Sequence, residues 1–288
     1  MKIWVTGLLV IMVAAAAFYY FKMDQQSGEV LAPPARPSIV TGQPEPEPVP
    51  MRESEPEEFL AEDPVAVEPA PEPEVEAVVL PSLNESDAEV LESLSGISGE
   101  AAVMQFLVSD NLVSRFVSSV DTLSARQVPN HIMAVNGPES DFLVTPIEQP
   151  AKVVRNAEGD AIPQYLLNPA NFKRYTPWVD LLEAADTEQL IAVYQHYSPL
   201  FQQAWVELGY PDGSFEQRLI EVIDLLMETP EKSEPLHLIK PEAFYLFADP
   251  DLEAMPAGQK ILLRIGPDNA KRVKVKLREI RSVLVNGG

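Results

Sequence analysis

A proline-rich, acidic stretch divides this 288-residue chain and limits where it can fold. Residues 24–81 contain 13 prolines and 14 acidic residues, against the two arginines Arg36 and Arg52. Proline removes backbone donors and interrupts helices and sheets, while like charges extend the chain. A stretch with so little apolar surface cannot offset the entropy lost on ordering. We therefore predict a disordered linker over residues 24–81.

An uncharged apolar run precedes this linker. Residues 3–21 read IWVTGLLVIMVAAAAFYYF and are bracketed by Lys2 and Lys22. A membrane-spanning helix needs roughly 20 apolar residues. Residues 14–17 are alanines of the kind that signal peptidase accepts, but four bulky aromatic residues follow them, which favours an uncleaved anchor. The sequence predicts a transmembrane anchor over residues 1–23, with a cytoplasmic N-terminus and an exported C-terminal part.

Charge and cysteine content exclude several classes of function. The chain has no cysteine, so a disulfide framework, a thiolate metal site and a cysteine nucleophile are excluded. Its net charge of −23 at pH 7 repels nucleic acid over most of the surface. We expect no nucleic-acid partner.

Residues 82–288 are rich enough in apolar residues to form a core, and helical signals dominate them. Ser86 and Glu89 have the spacing of a capping box, and Asp110 is placed to cap a later helix. Asp186 or Thr187 opens a helix with an apolar 3.6-residue period to Leu208. The sequence predicts an all-α domain of six to nine helices.

Proline marks the further helix boundaries. Thr176-Pro177 predicts a new helix start, and Pro199 predicts a kink or restart with Ser198 as its cap. Another helix is expected from Pro241. Residues 124–167 break the helical pattern, and the turn AEGD at 157–160 predicts either a short hairpin or an irregular excursion.

The stretch ELGYPDGSF, residues 207–215, combines two acids with glycine and proline. Gly209 suits a helix C-terminal cap, Pro211 prevents the helix from continuing, and Ser214 or Asp212 suits the next N-cap. The sequence predicts a corner between two helices. The alternative is an acid–base pair of Glu207 and Asp212, which needs a convergent cleft that a tight turn does not supply.

The C-terminal helix, expected from about Pro267 to Leu284, is the one basic region. Between Ala257 and Gly288 there are eight basic residues and two acids, which gives a local charge of +6. This pattern fits either a solvated face paired with the acidic body or a docking face for an anionic partner. The candidate interaction surface comprises Lys271, Arg272, Lys274, Lys276 and Arg278 on this helix, with Tyr210 and Asp212 at the corner.

No spacing in the chain matches a known catalytic or metal motif. The histidines His131, His196 and His237 are far apart in sequence, and no HExxH, GxSxG, Walker loop or GxGxxG is present. We therefore expect no metal and no cofactor. A small ligand between helices is kept open by five aromatic residues: Trp178, Tyr194, Tyr197, Trp205 and Tyr245.

Several long motifs occur in one order along the chain. They are PSLNESDAEV, FVSSVDTL, LNPANFKRYTPWVDLL, YSPLFQQAWVELGYPDGSFEQRLIEVIDLLMETP and FADPDLEAMPAGQKILLRIGPDNAKRVKVKLREIR. Over residues 81–281 they resemble the bacterial family known as domain of unknown function 3014. The resemblance implies a membrane-anchored chain with a proline-rich linker. It implies no activity and no catalytic residue.

Together these patterns predict an inner-membrane protein of the cell envelope with a periplasmic domain. We expect an interaction or scaffold module without catalytic activity, whose partners are the membrane, through residues 3–21, and an envelope protein or anionic polymer. The alternative is an envelope hydrolase, or a protein that handles lipids or small ligands, using Asp and Glu side chains. The sequence leaves the oligomeric state open.

Overall fold

The computed structural model describes residues 80–129, 132–184, 186–232 and 235–286. The predicted anchor and the predicted linker up to residue 79 lie outside these ranges. Within them, no helix is both long enough and apolar enough to span a membrane.

The described residues form ten helices and four short strands. The helices are α1 Asp87–Ser98, α2 Glu100–Phe106, α3 Leu112–Thr122, α4 Ala170–Glu183, α5 Thr187–His196, α6 Ser198–Glu207, α7 Phe215–Met227, α8 Pro250–Ala254, α9 Ala257–Arg264 and α10 Pro267–Asn286. The strands are β1 Val144–Pro146, β2 Gln164–Leu167, β3 His237–Ile239 and β4 Leu246–Phe247. The predicted helical character is confirmed, but the all-α class is corrected by the four-stranded sheet, and the ten helices exceed the predicted six to nine.

The four strands form one antiparallel sheet in the order β1-β2-β3-β4. The register pairs Tyr165 with Leu238, and Leu238 with Phe247. Of the two alternatives for the turn at 157–160, the hairpin is the correct one, because Arg155 pairs with Ala161 in an antiparallel bridge. The helix predicted from Pro241 is wrong, because that segment bends and then enters β4. Strands of two to four residues are too short to show a two-residue period.

The main core surrounds α10. Its apolar stripe of Val273, Leu277, Ile280 and Leu284 is buried, as predicted. The stripe faces α4, α5, α7 and α9, which all contact α10. Each such buried side chain contributes roughly 1.5–3 kcal/mol relative to an exposed one.

A second, smaller apolar cluster lies against the sheet. It is centred on five buried residues: Leu167, Leu238, Phe247, Leu252 and Leu263. Helix α9 contributes Leu262 to the main core and Leu263 to this cluster. One eight-residue helix therefore borders both apolar clusters.

Two of the predicted helix caps are wrong, and a long-range contact replaces one of them. The Ser86 hydroxyl donates to the carbonyl of Leu83 and does not cap α1. Instead of Asp110, Asn111 in a left-handed conformation precedes α3. The Asp87 carboxylate, on α1, accepts hydrogen bonds from the backbone N–H groups of Asn111 and Leu112, both at 2.7 Å. Two backbone N–H groups at the start of α3 are thus bonded to a side chain of another helix.

Two helix boundaries were expected at prolines, and the structure has one of them. Helix α4 runs through Pro177 without the predicted restart, and the Thr176 hydroxyl donates to the Phe172 carbonyl within the helix. The restart at Pro199 is confirmed, because α5 ends at His196 and α6 begins at Ser198, but Ser198 is not its cap: Tyr197 occupies the N-cap position, without a side-chain cap bond. Asp186 caps α5 by accepting from the Gln189 N–H at 3.0 Å, as predicted.

Gly266 joins α9 to α10 and allows a close approach to α4. Its φ is +90°, and a Cβ built on it would lie 2.4 Å from Cγ of Phe172. We expect Gly266→Ala to lower the free energy of unfolding by about 3 kcal/mol, since it combines an unfavourable backbone conformation with overpacking. Urea unfolding of the full chain, followed by circular dichroism, measures this loss.

Gly209 supplies the matched control. Its φ is +113°, but nothing lies within 4 Å of its Cβ position. Gly209→Ala should therefore lower the free energy of unfolding only through its unfavourable backbone conformation, by about 1–2 kcal/mol. Equal losses at the two glycines would contradict the close packing of Phe172 against Gly266.

Candidate interaction surfaces

The loop between α6 and α7 is an exposed corner with apolar side chains. Residues 206–214 are all exposed. Of the eight large apolar side chains that are exposed in the described ranges, three lie here: Val206 (43%), Leu208 (42%) and Tyr210 (43%). Leu208 was assigned to the buried face from its period, and the structure corrects this because α6 ends before it. We call residues 206–214 the corner.

The corner is confirmed as a helix–helix connection, and it is held firmly. Gly209 has a positive φ after α6, and the Ser214 hydroxyl caps α7 by accepting from the Gln217 N–H. The Tyr210 ring stacks on Trp205 with centroids 4.0 Å apart and planes 14° apart.

The side chain of Gln202 also fixes the corner. Its Nε2 donates to the Gly213 carbonyl at 2.7 Å, and its Oε1 accepts from the Phe215 N–H at 3.0 Å. A corner held in this way loses little conformational freedom when a partner binds.

An ion pair beneath the corner links Tyr210 to α3. The Tyr210 hydroxyl donates to the Asp121 carboxylate at 3.2 Å, and Arg218 of α7 lies 2.9 Å from the same carboxylate. The negative charge of Asp121 raises the pKa of Tyr210 above its ordinary value near 10; burial and their hydrogen bond add to this rise, and Arg218 opposes it.

Exposed acids lie near the apolar residues of the corner in the sequence. Glu207 and Asp212 belong to the corner, Glu216 follows it in α7, and all three are exposed. Glu207 accepts a hydrogen bond from the Gln203 side chain at 3.0 Å. The corner therefore combines exposed apolar side chains with exposed acids.

The structure places the five predicted basic residues of α10 in three different settings. Lys274 and Lys276 are buried, with 8% and 6% exposure. The Lys274 ammonium donates to the Thr229 carbonyl, and the Lys276 ammonium pairs with Glu279 at 3.1 Å. Two of the five thus act inside the domain.

Arg272 connects α10 to α4. Its Nε donates to Glu183 at 2.8 Å and its guanidinium lies 2.6 Å from Asp180. These hydrogen bonds, first that to Glu183 and then that to Asp180, raise the pKa of Arg272 above its ordinary value. Lys271 and Arg278 are exposed and form no ion pair with a described residue. The basic surface that remains available is centred on these two side chains.

A shallow cleft of about 20 Å³, with room for about one water molecule, lies beside the start of α10. It is lined by Thr229, Pro230, Glu231, Lys232, Leu262, Leu263, Pro267, Ala270, Lys271 and Lys274. Five of these side chains are apolar, three are lysines and one is a carboxylate. Leu262 and Leu263 are buried beneath it, with 0% and 6% exposure, so its exposed residues are Glu231, Lys232, Pro267 and Lys271.

Histidines and aromatic residues do not assemble a further site. In the described ranges, no three His, Asp or Glu side chains are grouped as metal ligands. His131 lies outside those ranges, and His196 is 4.0 Å from Glu89 on the surface. Tyr194, Tyr197 and Trp205 are buried in the main core. Trp178 packs against that core, and Tyr245 packs against the sheet cluster.

The raised pKa of Tyr210 provides a test of the corner geometry. A group whose folded pKa exceeds its unfolded value stabilises the fold below the unfolded pKa and loses that contribution as pH rises through the folded pKa. The signal of Tyr210 is the part of the tyrosine absorbance that is missing in Tyr210→Phe. In the unsubstituted chain this signal should titrate above pH 10. In Asp121→Asn it should titrate nearer to pH 10. Difference spectrophotometric titration at 295 nm measures both.

Glu221→Gln is the control for this titration. Glu221 pairs with Arg218 at 3.4 Å but has no bond to Tyr210. The Tyr210 titration should change less in this variant than in Asp121→Asn. An unchanged titration in Asp121→Asn would contradict the Tyr210–Asp121 contact.

Comparison with known proteins gives one match. Residues 112–281 match the model of a family described as a protein of unknown function, DUF3014. No curated protein and no solved structure matches the chain. The matched range covers more than half of the chain and runs from α3 into α10, so it includes both the corner and the cleft. The chain belongs to the DUF3014 family.

Proposed function

We propose that this protein is a membrane-anchored component of the cell envelope whose helical domain is a non-catalytic interaction module. Its docking point is the corner. The observation that carries this proposal is the exposure of Val206, Leu208 and Tyr210 on a connection that Trp205, Asp121 and Gln202 hold in place. A corner that served only to join two helices would not need three exposed apolar side chains.

The shape and charge of the corner define its partner. Because apolar side chains are exposed on the corner, the partner must offer an apolar surface that covers them. That surface must accept Tyr210, Leu208 and Pro211. It must also carry basic groups to complement Glu207 and Asp212. Tyr210 has the properties of a binding anchor, since its ring is rigid and its edge is exposed.

The sequence before Leu80 supports the proposed location at the inner membrane. The apolar run over residues 3–21 fits an inner-membrane anchor, and residues 24–81 fit a spacer that holds the domain away from the bilayer. An interaction module at the end of such a tether samples partners near the membrane surface. The periplasmic side follows from the expected cytoplasmic N-terminus.

Photo-crosslinking in cells that produce the full chain tests this function. A photoreactive amino acid at position 208 should give one recurrent adduct, identified by mass spectrometry. Tyr210→Ala in the same chain should reduce that adduct by roughly 30-fold, since aromatic anchors contribute about 2 kcal/mol or more to binding.

Position 104 provides the control surface, because Met104 is 64% exposed on α2. A photoreactive residue there should not give the adduct. Circular dichroism of Tyr210→Ala checks that the fold is kept, since losing the stacked ring removes about 0.5–1.5 kcal/mol. The proposal fails if the adduct forms equally at position 104, or survives Tyr210→Ala unchanged.

A further inference from the structure

Helix α10 has an exposed side opposite its buried stripe. The exposed side chains recur at alternating intervals of four and three residues: Lys271, Val275, Arg278, Ser282 and Val285. Alternating intervals of this kind keep side chains on one line of a helix, and a second helix packs along such a line. We call these five residues the outer face.

The outer face carries two of the eight large apolar side chains that are exposed in the described ranges. Val275 is 45% exposed and Val285 is 51% exposed. Lys271 and Arg278 lie on the same line and form no ion pair with a described residue. The outer face therefore offers both accessible apolar surface and available cations to another molecule.

The outer face is complementary to itself in the antiparallel direction. When two copies of α10 lie antiparallel and are centred on Ile280, residues equally far from Ile280 in sequence come opposite each other. Val275 then lies opposite Val285 of the second copy, and Arg278 lies opposite Ser282. An apolar side chain thus meets an apolar one, and a guanidinium meets a hydroxyl that can accept its hydrogen bond. Each contact occurs twice, as in any two-fold interface.

The charges of the outer face also favour the antiparallel direction. Lys271 is near the start of α10, so it comes close to the C-terminal end of the helix in the second copy. The last carbonyl groups of a helix have no intrahelical partner and carry partial negative charge. In a parallel arrangement, by contrast, Lys271 would face Lys271 and Arg278 would face Arg278.

The exposed side of α10 has no excess of negative charge. Its exposed charged side chains are two acids and two bases: Asp268, Lys271, Arg278 and Glu279. The whole chain has a net charge of −23, so contacts elsewhere bring many like charges together. At physiological ionic strength the screening length is about 8 Å, so the charges near a contact dominate its energy. Two copies can therefore meet at α10 with little repulsion.

We propose that the outer face of α10 is a self-association surface, on which α10 of a second copy of this chain packs antiparallel. This contact goes beyond the proposed function, because it uses no residue of the corner. A two-fold contact closes after two copies, so the product is a dimer. The dimer carries two corners, and a partner with two matching surfaces would bind it with increased avidity.

The dimer contact is small and therefore transient. A stable interface uses about 20–30 residues on each side, whereas the outer face has five. Its detection requires a reaction that traps the two copies together. Confinement of both copies to one membrane, as proposed above, would raise their effective concentration.

Cysteine trapping in the full chain tests the antiparallel register. The chain has no cysteine, so Val275→Cys and Val285→Cys, in two differently tagged chains, each supply one thiol. Cells that produce both chains are opened without detergent and oxidised. A disulfide needs Cα atoms within about 7 Å, whereas the two copies of position 275 lie about 15 Å apart along the helices. The mixed disulfide should therefore exceed either homodimer by more than the random ratio of about two.

Met104→Cys paired with Val285→Cys is the control for random collisions. Met104 is 64% exposed on α2, so its thiol is at least as accessible as one at position 275. This pair should give the mixed disulfide only at the random ratio. All three positions are exposed, and circular dichroism of each variant checks that the fold is kept.

Ser282→Lys and Ser282→Glu form a matched pair of charge variants in the two trapping chains. Position 282 lies opposite Arg278 of the second copy, so lysine should reduce the mixed disulfide about two- to fivefold. Glutamate should maintain or increase it, because an opposite charge then faces the guanidinium. Equal yields in the two variants would contradict the placement of Arg278 opposite Ser282.

The outcomes separate this inference from the proposed function. A mixed disulfide no more abundant than in the Met104 control overturns the antiparallel dimer and leaves the corner proposal in place. An excess of the two homodimers also overturns it, because that result indicates a parallel contact. An excess of the mixed disulfide without any corner adduct supports the dimer and overturns the proposed function.

Discussion

Burial of the apolar stripe of α10 is the constraint on which the rest of the domain depends. This stripe organises α4, α5, α7 and α9 around a single 20-residue helix. Basic residues beside the stripe are drawn toward neighbouring acids and carbonyls: Arg272 binds α4, and Lys274 binds the loop after α7. A helix that is strongly basic in sequence thus acts mainly as an internal support, and few of its charges remain for binding.

Predictions from the sequence succeed where the signal is local. Some boundary residues act on the backbone directly beside them, so the local sequence is enough to locate the boundary. They are Asp186, Pro199, Gly209 and Ser214. Asp87 could not be identified in this way, because it caps α3 across 24 residues of sequence. The strands of two to four residues have no measurable period, and tertiary packing allows α4 to continue through Pro177.

The same distinction applies to the interaction surfaces. Tyr210 and Asp212 could be placed on a corner because turn residues surround them. The burial of Lys276 could not be predicted, since helical spacing assigns a residue to a face but does not show how many neighbours cover that face. Leu208 shows the reverse error: its period matched the core, but the helix ended and left it in solvent. The cleft combines three separate segments and has no sequence signature.

The turn over Leu83–Glu85 has a mechanical consequence. Leu80 and Leu83 pack against the main core, and this turn contacts α1 and α6. Tension applied along the residues before Leu80 would therefore reach these two helices first. Helix α6 also ends at the corner. A load between the preceding chain and a molecule docked at the corner would then be borne by this ten-residue helix.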